Sequence, residues 1–344
     1  MKISDIGEFG WINRIRSRIP SIQDGVNVGI GDDSAWLKIQ ESPLITCDLL
    51  IENIHFLREI HPPRLLGRKA LSVNLSDIAA MAGIPEYALI AVGFPRDTEL
   101  DYADEILEGF LEVAQEHKVE LIGGDTSAAE RLTISVTVLG KPAFEKPVLR
   151  STARPGDNVW VTGTIGDAAL GFELLKKSQA EKLEISDLHH SSLVVKHFDP
   201  KPRVSAGIKL GKIAHSMIDL SDGLLLDLGH ILEESGREKT LRALITLELL
   251  PMSEDFVEYY DQKPFLKEEA LRILLSGGED YELLFTASPE AEPEIHKISH
   301  LLDLRITRVG RIEEAKNREV ILLDKKGAEV KPPQVWFEHF PRED

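Results

Sequence analysis

Apolar residues in this chain form short continuous runs that alternate with longer segments of helical periodicity. The runs are rich in apolar and β-branched residues, as buried strands are, and lie at Pro43–Thr46, Tyr87–Val92, Thr133–Leu139 and Val159–Thr162. Apolar residues spaced for one face of a helix occupy residues 8–18, Gly67–Met81 and Tyr102–His117. The first half of the chain therefore predicts strands that alternate with amphipathic helices.

The second half repeats this alternation. Helical spacing recurs at Asp167–Lys177 and from about Leu224 to Glu234, and strand-like runs lie near Ala243–Leu247 and at Tyr281–Thr286. The polar stretch 178–192 predicts a variable loop. Strands mixed with helices throughout predict an α/β or α+β fold.

The length of the chain predicts two domains, because 344 residues are many for one hydrophobic core. The segment 146–157, KPVLRSTARPGD, is rich in turn formers and is the predicted junction. We place the N-terminal domain at 1–148 and the C-terminal domain at 149–344.

Composition narrows the class of protein. The formal net charge of −18 argues against nucleic acid as a partner, and no stretch approaches the ~20 apolar residues of a membrane span. The first residues lack the apolar segment of a secretory signal. Cys47 is the only cysteine, so an internal disulfide and a cysteine zinc site are excluded. We expect a cytoplasmic protein without a membrane partner.

Aspartates beside glycines or polar residues recur next to the apolar runs. Because such turns are common in any protein, each one taken singly indicates a turn more than a ligand. Together they predict converging carboxylates, which repel one another unless a cation neutralises them. Mg²⁺ prefers oxygen ligands and shares phosphate oxygens, so the set predicts an Mg²⁺-dependent nucleotide site. The segments are Gly29–Asp33, Thr46–Asp48, Asn74–Asp77, Gly123–Asp125, Asp219–Asp222 and Ser276–Asp280.

The usual phosphate-binding signatures are absent from the sequence. It contains no G-x-x-x-x-G-K-[ST] segment and no protein-kinase motif set. Thr162-Gly-Thr-Ile-Gly166 follows a predicted strand and precedes a predicted helix. It fits a phosphate cradle at a helix N-terminus and an ordinary tight turn equally well.

Read in order, the segments that carry these motifs resemble thiamine-monophosphate kinase, of the fold superfamily that includes aminoimidazole ribonucleotide synthetase. The two most specific are KALSVNLSDIAAMAGIP (69–85) and LLSGGEDYELLFT (274–286). The others are GIGDDSAWL (29–37), LITCDLLIENIHF (44–56), LIGGDTSAAERLTISVTVLG (121–140), LRSTARPGDNVWVTGTIGDAALG (149–171) and IDLSDGL (218–224).

The resemblance implies a two-domain fold. Its N-terminal domain binds ATP and Mg²⁺ and pairs its sheet with that of a second subunit, which gives a homodimer. Its C-terminal α/β domain closes the active-site cleft. The implied reaction transfers the γ-phosphoryl group of ATP directly onto thiamine monophosphate, without a phosphoenzyme. Phosphoryl transfer of this kind depends mainly on alignment and charge neutralisation.

The resemblance also implies roles for individual residues. Cys47 stands where the family usually has threonine, so only a backbone carbonyl contact is implied there. Asp222 and Arg150 are the implied catalytic residues, with the Arg150 guanidinium on the phosphates. The implied Mg²⁺ ligands are Asp33, Thr46, Cys47, Asp48, Asp77, Asp125, Asp219 and Asp222. The implied ATP contacts are Gly124, Asp125, Arg150 and Ser221. The implied substrate contacts are His55, Glu279 or Asp280, and Phe337.

Two alternatives to this reaction stay open. Another ATP-dependent synthetase of the superfamily, such as aminoimidazole ribonucleotide synthetase, shares the aspartate framework, although the NLSDIAAM and SGGEDYELLF segments favour the thiamine enzyme. A selenophosphate synthetase is disfavoured because residues 1–46 contain no cysteine, and a hydrogenase-maturation carbamoyl dehydratase because the chain ends in FPRED. A non-catalytic nucleotide-binding regulator predicts ATP binding without turnover.

Overall fold

A computed structural model of the chain describes residues 14–15, 17–18, 26–28, 36–37, 42–181, 192–236, 239–261, 265 and 268–332. The described residues fall into two compact units. Unit 1 contains those up to Ile78 together with Gly83–Glu145, and unit 2 contains Ala79–Ala82 and those from Lys146 onward. The division after Glu145 lies a few residues before the predicted boundary at residue 148.

Unit 1 is built on a four-stranded sheet in the order β3-β6-β4-β5. The central pairs are antiparallel, whereas β4 and β5 run parallel. A small separate pair of strands precedes this sheet. The strands are β1 (Val26–Val28), β2 (Trp36–Leu37), β3 (Leu44–Ile51), β4 (Gly83–Phe94), β5 (Glu120–Ala128) and β6 (Thr133–Pro142), and the helices are α1 (Pro63–Ala80) and α2 (Leu100–His117).

One face of this sheet is buried because alternate residues along each strand are apolar. In β6 the buried positions are Ile134, Val136 and Val138, and in β4 Ala88 and Ile90 are among them. Helix α2 is amphipathic and buries apolar residues at spacings of three and four. These are Leu100, Ala103, Ile106, Leu107, Phe110, Val113 and Ala114. The core of unit 1 therefore lies between this sheet face and its helices.

Helices α1 and α2 cross at two glycines. A Cβ atom on Gly67 would lie 1.8 Å from the carbonyl oxygen of Ile106, and one on Gly109 would lie 1.8 Å from the carbonyl oxygen of Arg64. Each glycine thus lets the backbone of one helix touch the backbone of the other. The crossing is closer than any other residue type would permit.

The opposite face of the sheet carries apolar side chains that are open to solvent. Ile45 and Leu49 on β3 are 64% and 47% exposed, and Cys47 between them is also exposed. Their register partners on β6 are Leu139, Thr137 and Ser135. We call this surface, defined by Ile45, Cys47, Leu49 and the facing β6 residues, the outer sheet face.

Unit 2 is built on a seven-stranded sheet in the order β13-β12-β9-β11-β7-β10-β8, in which only β12 and β9 pair in parallel. The strands are β7 (Asn158–Thr162), β8 (Ser216–Asp219), β9 (Leu241–Thr246), β10 (Leu283–Ala287), β11 (Ile306–Glu314), β12 (Val320–Leu323) and β13 (Glu329–Val330). The helices are α3 (Asp167–Glu181), α4 (Ser192–Phe198), α5 (Val204–Leu210), α6 (Leu224–Ser235), α7 (Glu254–Tyr259), α8 (Glu268–Ser276) and α9 (Glu292–Leu302).

The core of unit 2 is apolar and continuous. Strands β7 and β10 are buried along their whole length, as central strands covered on both faces are. Helix α6 places Leu224, Leu228 and Ile231 in this core and packs against α8. Both helices begin or end in the loops that carry predicted site residues.

The predicted mixture of strands and helices is confirmed, with three differences. The predicted strand at Tyr281–Thr286 begins only at Leu283, because Gly278, Glu279 and Tyr281 before it have left-handed φ angles. Strands β1, β2, β5 and β8 and helices α4, α5, α7, α8 and α9 were not predicted. The predicted loop 178–192 begins inside α3, which continues to Glu181. Within the described residues, no helix combines the length and apolarity needed to cross a membrane.

Candidate active site

The inner face of β3 carries two predicted Mg²⁺ ligands against helix α1. The Thr46 hydroxyl donates to the Asp77 carboxylate, and the Asp48 amide donates to Asn74 Oδ1 over 3.0 Å. Asn74 and Asp77 are three residues apart in α1 and therefore share one helix face. Asn74 is buried and anchored by its own donation to the Ala70 carbonyl. The structure thus brings Thr46, Asp48 and Asp77 together.

Cys47 lies on the other side of the sheet. Successive side chains of a strand point to opposite faces, and the Cys47 thiol lies 3.5 Å from Ser135 Oγ on the outer sheet face. Its side chain is therefore directed away from Thr46 and Asp48. Of the Cys47 donors, only the backbone carbonyl remains for the implied metal contact.

Gly124 and Asp125 lie on β5, at the opposite edge of the sheet from β3. Two strands separate these edges, which corresponds to about 14 Å at the usual strand spacing. A Cβ atom at position 124 would lie 1.8 Å from the Ile90 carbonyl oxygen, so only glycine fits this pairing. Within one copy of unit 1, the structure does not bring Asp125 to Thr46 and Asp48.

His55 lies in the turn that follows β3. Its Nδ1 accepts a hydrogen bond from the Ile51 amide over 3.0 Å, and its own amide donates to the Ile51 carbonyl. An accepting Nδ1 carries no proton, so a neutral His55 bears its proton on Nε2. The ring is half-buried and its orientation is fixed by the turn.

In unit 2, the loop after β8 carries Asp219, Ser221 and Asp222. The amides of Asp222 and Gly223 donate to the buried Asp227 carboxylate over 3.2 and 3.0 Å. Burial, followed by the charges of Asp219 and Asp222, raises the pKa of Asp227 well above its usual range. Three carboxylates therefore interact electrostatically here, and a bound cation would relieve their repulsion.

The loop 276–282 is tied to the β8 loop through the backbone. The Glu279 amide donates to the Ser221 carbonyl, the Tyr281 amide to the Leu220 carbonyl, and the Leu220 amide to the Glu282 carbonyl. Glu279 and Tyr281 have φ angles of 61° and 49°, which non-glycine residues rarely adopt. Such backbone strain costs about 1–3 kcal/mol per residue and is typical of functional sites.

Asp280 is half-buried and its carboxylate is bound within unit 2. Its carboxylate accepts a hydrogen bond from the Gly166 amide over 2.8 Å, and burial raises the pKa of Asp280 to about 8. Glu282 beside it is buried and bound by Thr162 Oγ1 and by the Arg203 guanidinium. Both carboxylates thus join β10 to neighbouring elements of the unit.

The Thr162–Gly166 segment forms a tight turn whose amides have protein acceptors. Gly163 donates to the Arg305 carbonyl and Ile165 to the Pro251 carbonyl, while Gly166 donates to Asp280. A phosphate cradle needs amides that are available to the ligand. The contacts favour the turn interpretation of this segment.

The remaining predicted residues are placed as follows. Arg150 has an exposed side chain, and its carbonyl accepts a hydrogen bond from Ser235 Oγ. Asp33 and Phe337 lie outside the described residues. No group of three or more His, Cys, Asp or Glu side chains within the described ranges has an arrangement that could hold a metal ion. The predicted ligands therefore form smaller sets, one on β3 and α1 and another at the end of β8.

Three residues beside the predicted ligands, one in unit 1 and two in unit 2, were not predicted from the sequence. Asn74 supports β3, Asp227 binds the amides of the β8 loop, and His197 lies 3.0 Å from Glu279. Asn74 and Asp227 lie in the NLSD and SDGLLLD segments, three and five residues from the predicted ligands Asp77 and Asp222. This short spacing could have indicated that they support those ligands. His197 is 82 residues from Glu279 along the chain, and no local pattern links them.

Comparison with known proteins identifies the family of this chain. Residues 31–141 match the family model of AIR synthase related protein, N-terminal domain. A thiamine-monophosphate kinase of Aquifex aeolicus is 35% identical over 99% of this chain and 100% of its own length. The chain belongs to the thiamine-monophosphate kinase family.

Solved structures of this family share the fold over nearly the whole chain. A thiamine-monophosphate kinase of Stenotrophomonas maltophilia superimposes with a TM-score of 0.78 at 36% identity, covering 90% of this chain and 94% of the other. AaThiL complexed with AMPPCP and TMP gives a TM-score of 0.72 at 33% identity, with 99% of both chains covered. The two units and their sheets are therefore the fold of the family.

Proposed function

We propose that this protein phosphorylates thiamine monophosphate with ATP and produces thiamine diphosphate and ADP. The observation that carries the proposal is the match along the full length of a thiamine-monophosphate kinase. A related chain with the same fold is known in complex with AMPPCP and TMP. Membership of this family favours the thiamine enzyme over another synthetase of the superfamily and over a non-catalytic regulator.

Mg²⁺ fits the donors that the two units present. In unit 1 these are Thr46, Asp48 and Asp77, and in unit 2 they are Asp219 and Asp222, all of them oxygen donors of the kind that Mg²⁺ prefers. The raised pKa of Asp227 beside Asp219 and Asp222 supports a cation near that pair. When bound, Mg²⁺ neutralises charge on the transferring phosphoryl group. Each donor set is smaller than a complete coordination shell, so phosphate and water oxygens would fill the rest.

The nucleotide contacts proposed for this chain are Gly124, Asp125, Arg150 and Ser221. The exposed guanidinium of Arg150 is available to pair with phosphate oxygens in a bidentate manner. Asp222, the proposed catalytic carboxylate, would hold the metal ion that neutralises charge on the phosphoryl group. Direct transfer needs no protein nucleophile, and these residues supply position and charge.

Glu279 rather than Asp280 is the acidic residue proposed for the cationic acceptor. The Asp280 carboxylate already accepts a hydrogen bond from the Gly166 amide, whereas the Glu279 side chain, which is 23% exposed, lies beside His197. His55 is the second proposed acceptor contact. The strained backbone at Glu279 fixes its position relative to Ser221.

We place the contact of a homodimer on the outer sheet face of unit 1. That face exposes Ile45 and Leu49, and an apolar sheet face is stable when a second layer covers it. A twofold axis parallel to the strands would place β5 of the second copy opposite β3 of the first. Asp125 of one copy, which shares the face of Ser135, would then lie across the interface from the Cys47 side of β3 of the other, whereas a single copy keeps the two strands about 14 Å apart.

The experiment that tests the function measures ADP release by the purified protein with Mg²⁺, ATP and thiamine monophosphate. Aminoimidazole ribonucleotide precursors serve as alternative substrates, and a reaction without acceptor reports background hydrolysis. We expect ADP release that depends on thiamine monophosphate, with thiamine diphosphate as the product. ATP binding without turnover on the thiamine substrate would refute the proposal.

A further inference from the structure

Helix α4 places a buried histidine against the proposed acceptor contact. His197 is 1% exposed, and its Nδ1 lies 3.0 Å from Oε2 of Glu279. The next residue back along α4, Lys196, lies 3.0 Å from Thr164 Oγ1 and 3.6 Å from the Asp167 carboxylate. The end of α4 therefore contacts the Glu279 side chain as well as the turn that holds Asp280.

The imidazole ring of His197 is held by aromatic neighbours. It stacks on Phe172 with 4.7 Å between ring centroids and 22° between planes, and Phe198 lies at 5.9 Å. A ring packed in this way resists rotation, because turning it would open gaps on both sides. The position of Nδ1 is therefore determined by the packing of α3 and α4.

Glu279 has a rigid backbone and a side chain with several torsions. Its amide is bound to the Ser221 carbonyl, but a glutamate side chain loses considerable rotamer freedom when it is ordered. A fixed polar atom 3.0 Å from Oε2 selects one orientation of the carboxylate. Preorganisation of this kind raises ligand affinity by removing the ordering cost from the binding step.

We propose that His197 is a positioning residue that holds the Glu279 carboxylate in the orientation that binds the cationic part of the phosphoryl acceptor. The inference rests on the proposed function, since it assigns Glu279 to the acceptor. His197 itself is buried and contacts the acceptor only through Glu279. Its effect is consequently confined to acceptor binding and does not extend to ATP.

Steady-state kinetics of two variants tests this assignment. H197F keeps the aromatic packing and removes Nδ1, whereas H197N keeps a polar nitrogen near the Nδ1 position. We expect H197F to raise KM for thiamine monophosphate about tenfold, as loss of a close polar contact to a charged group does. KM for ATP should stay within about twofold, and H197N should recover most of the loss. Equal rises in both KM values, or an unchanged KM for the acceptor, would overturn the inference.

A double-mutant cycle separates positioning from simple packing. If His197 acts through Glu279, H197F should have no further effect on KM for the acceptor in an E279Q background. Full additivity would contradict the proposal. In the unmodified enzyme, the ¹⁵N resonance of His197 Nδ1 should shift on addition of thiamine monophosphate and not on addition of ATP. The absence of that difference would also contradict it.

Failure of this inference differs from failure of the proposed function. If the wild-type enzyme does not phosphorylate thiamine monophosphate, the function is refuted. If the wild-type enzyme turns over and the H197F effect is missing, only the role of His197 is refuted. Thermal unfolding of each variant checks that the altered chains are folded.

Discussion

Substitution of Gly67 by alanine tests the close crossing of α1 and α2. In an ordinary helix interior this change stabilises by about 1 kcal/mol. Here the new Cβ atom would lie 1.8 Å from the Ile106 carbonyl oxygen, whereas real contacts of this kind essentially never fall below 3.0 Å. The helices must separate by at least about 1.2 Å to accept the methyl group. We therefore expect the sign of the usual effect to reverse.

The size of the effect follows from what the separation disrupts. Ile106, Leu107 and Phe110 are almost fully buried on the α2 face, and a gap of about 1 Å forfeits a quarter to a half of their contact energy with atoms across it. Overpacking of a core costs about 1–3 kcal/mol. Surface ion pairs between the helices, such as Arg64 with Glu112, add little. The expected net destabilisation of unit 1 is about 2 kcal/mol.

Hydrogen exchange measured by peptide is the appropriate assay, because each unit can then be followed separately. G67A should accelerate exchange in α1 and α2 and leave the sheet of unit 2 unchanged. It should also raise the Mg²⁺ concentration needed for half-maximal activity, since α1 carries Asn74 and Asp77. G229A is the matched control, because a Cβ atom on Gly229 in α6 meets no atom within 4 Å. That variant should stabilise unit 2 by about 0.5–1 kcal/mol.

If the amides of α1 and α2 exchange in G67A as slowly as in the wild type, or more slowly, the steric reasoning is refuted. Destabilisation by both G67A and G229A would indicate instead that alanine is poorly tolerated at these sites for a different reason. Only opposite signs for the two variants support the crossing as described.

Three further predictions address the site and the interface. D222A should lose turnover in the ADP-release assay while its circular dichroism matches that of the wild type, and a near-normal rate would remove Asp222 from the metal site. Because burial raises the pKa of Asp280 to about 8 from an ordinary 3.8, the folded state holds this proton more tightly, and the contribution of Asp280 to stability falls as pH rises from about 4 to about 8. D280N keeps an acceptor for the Gly166 amide. Its unfolding midpoint should therefore fall less between pH 4 and pH 8 than that of the wild type. Equal falls in the two proteins would contradict the raised pKa of Asp280. I45K should convert a dimer to a monomer in sedimentation analysis. The control is L301K, which changes a similarly exposed leucine on α9 and should leave the dimer intact. A dimer retained by I45K would exclude the outer sheet face as the interface.

The repeating parts of the fold could be predicted from the sequence, because they depend on local periodicity. Helices α1, α2, α3 and α6 carry apolar residues at helical spacing and were predicted within a few residues. Strand β5 was missed because its Gly123-Gly124 pair lowers strand propensity. Pairing with β4 supplies the stability that the local sequence lacks.

The candidate site could be predicted by residue type and not by arrangement. Aspartates near the apolar runs indicated metal ligands, and Thr46, Asp48 and Asp77 do lie together. The strand order that sends Asp125 to the opposite edge has no local signal. Likewise, the run from Tyr281 to Thr286 has strand composition throughout, and only the hydrogen bonds to Leu220 and Ser221 impose the left-handed turn at its start.

The shared backbone hydrogen bonds of the β8 loop and the 276–282 loop limit how this enzyme can change. Any insertion or deletion that shifts Glu279 also pulls on Ser221, and with it the position of Asp222. If Glu279 binds the acceptor and Asp222 acts in catalysis, as proposed, a backbone change at Glu279 that alters acceptor preference would also alter catalysis. To transfer the acceptor specificity of one relative to another, the β8 loop and the 276–282 loop would therefore have to be exchanged together.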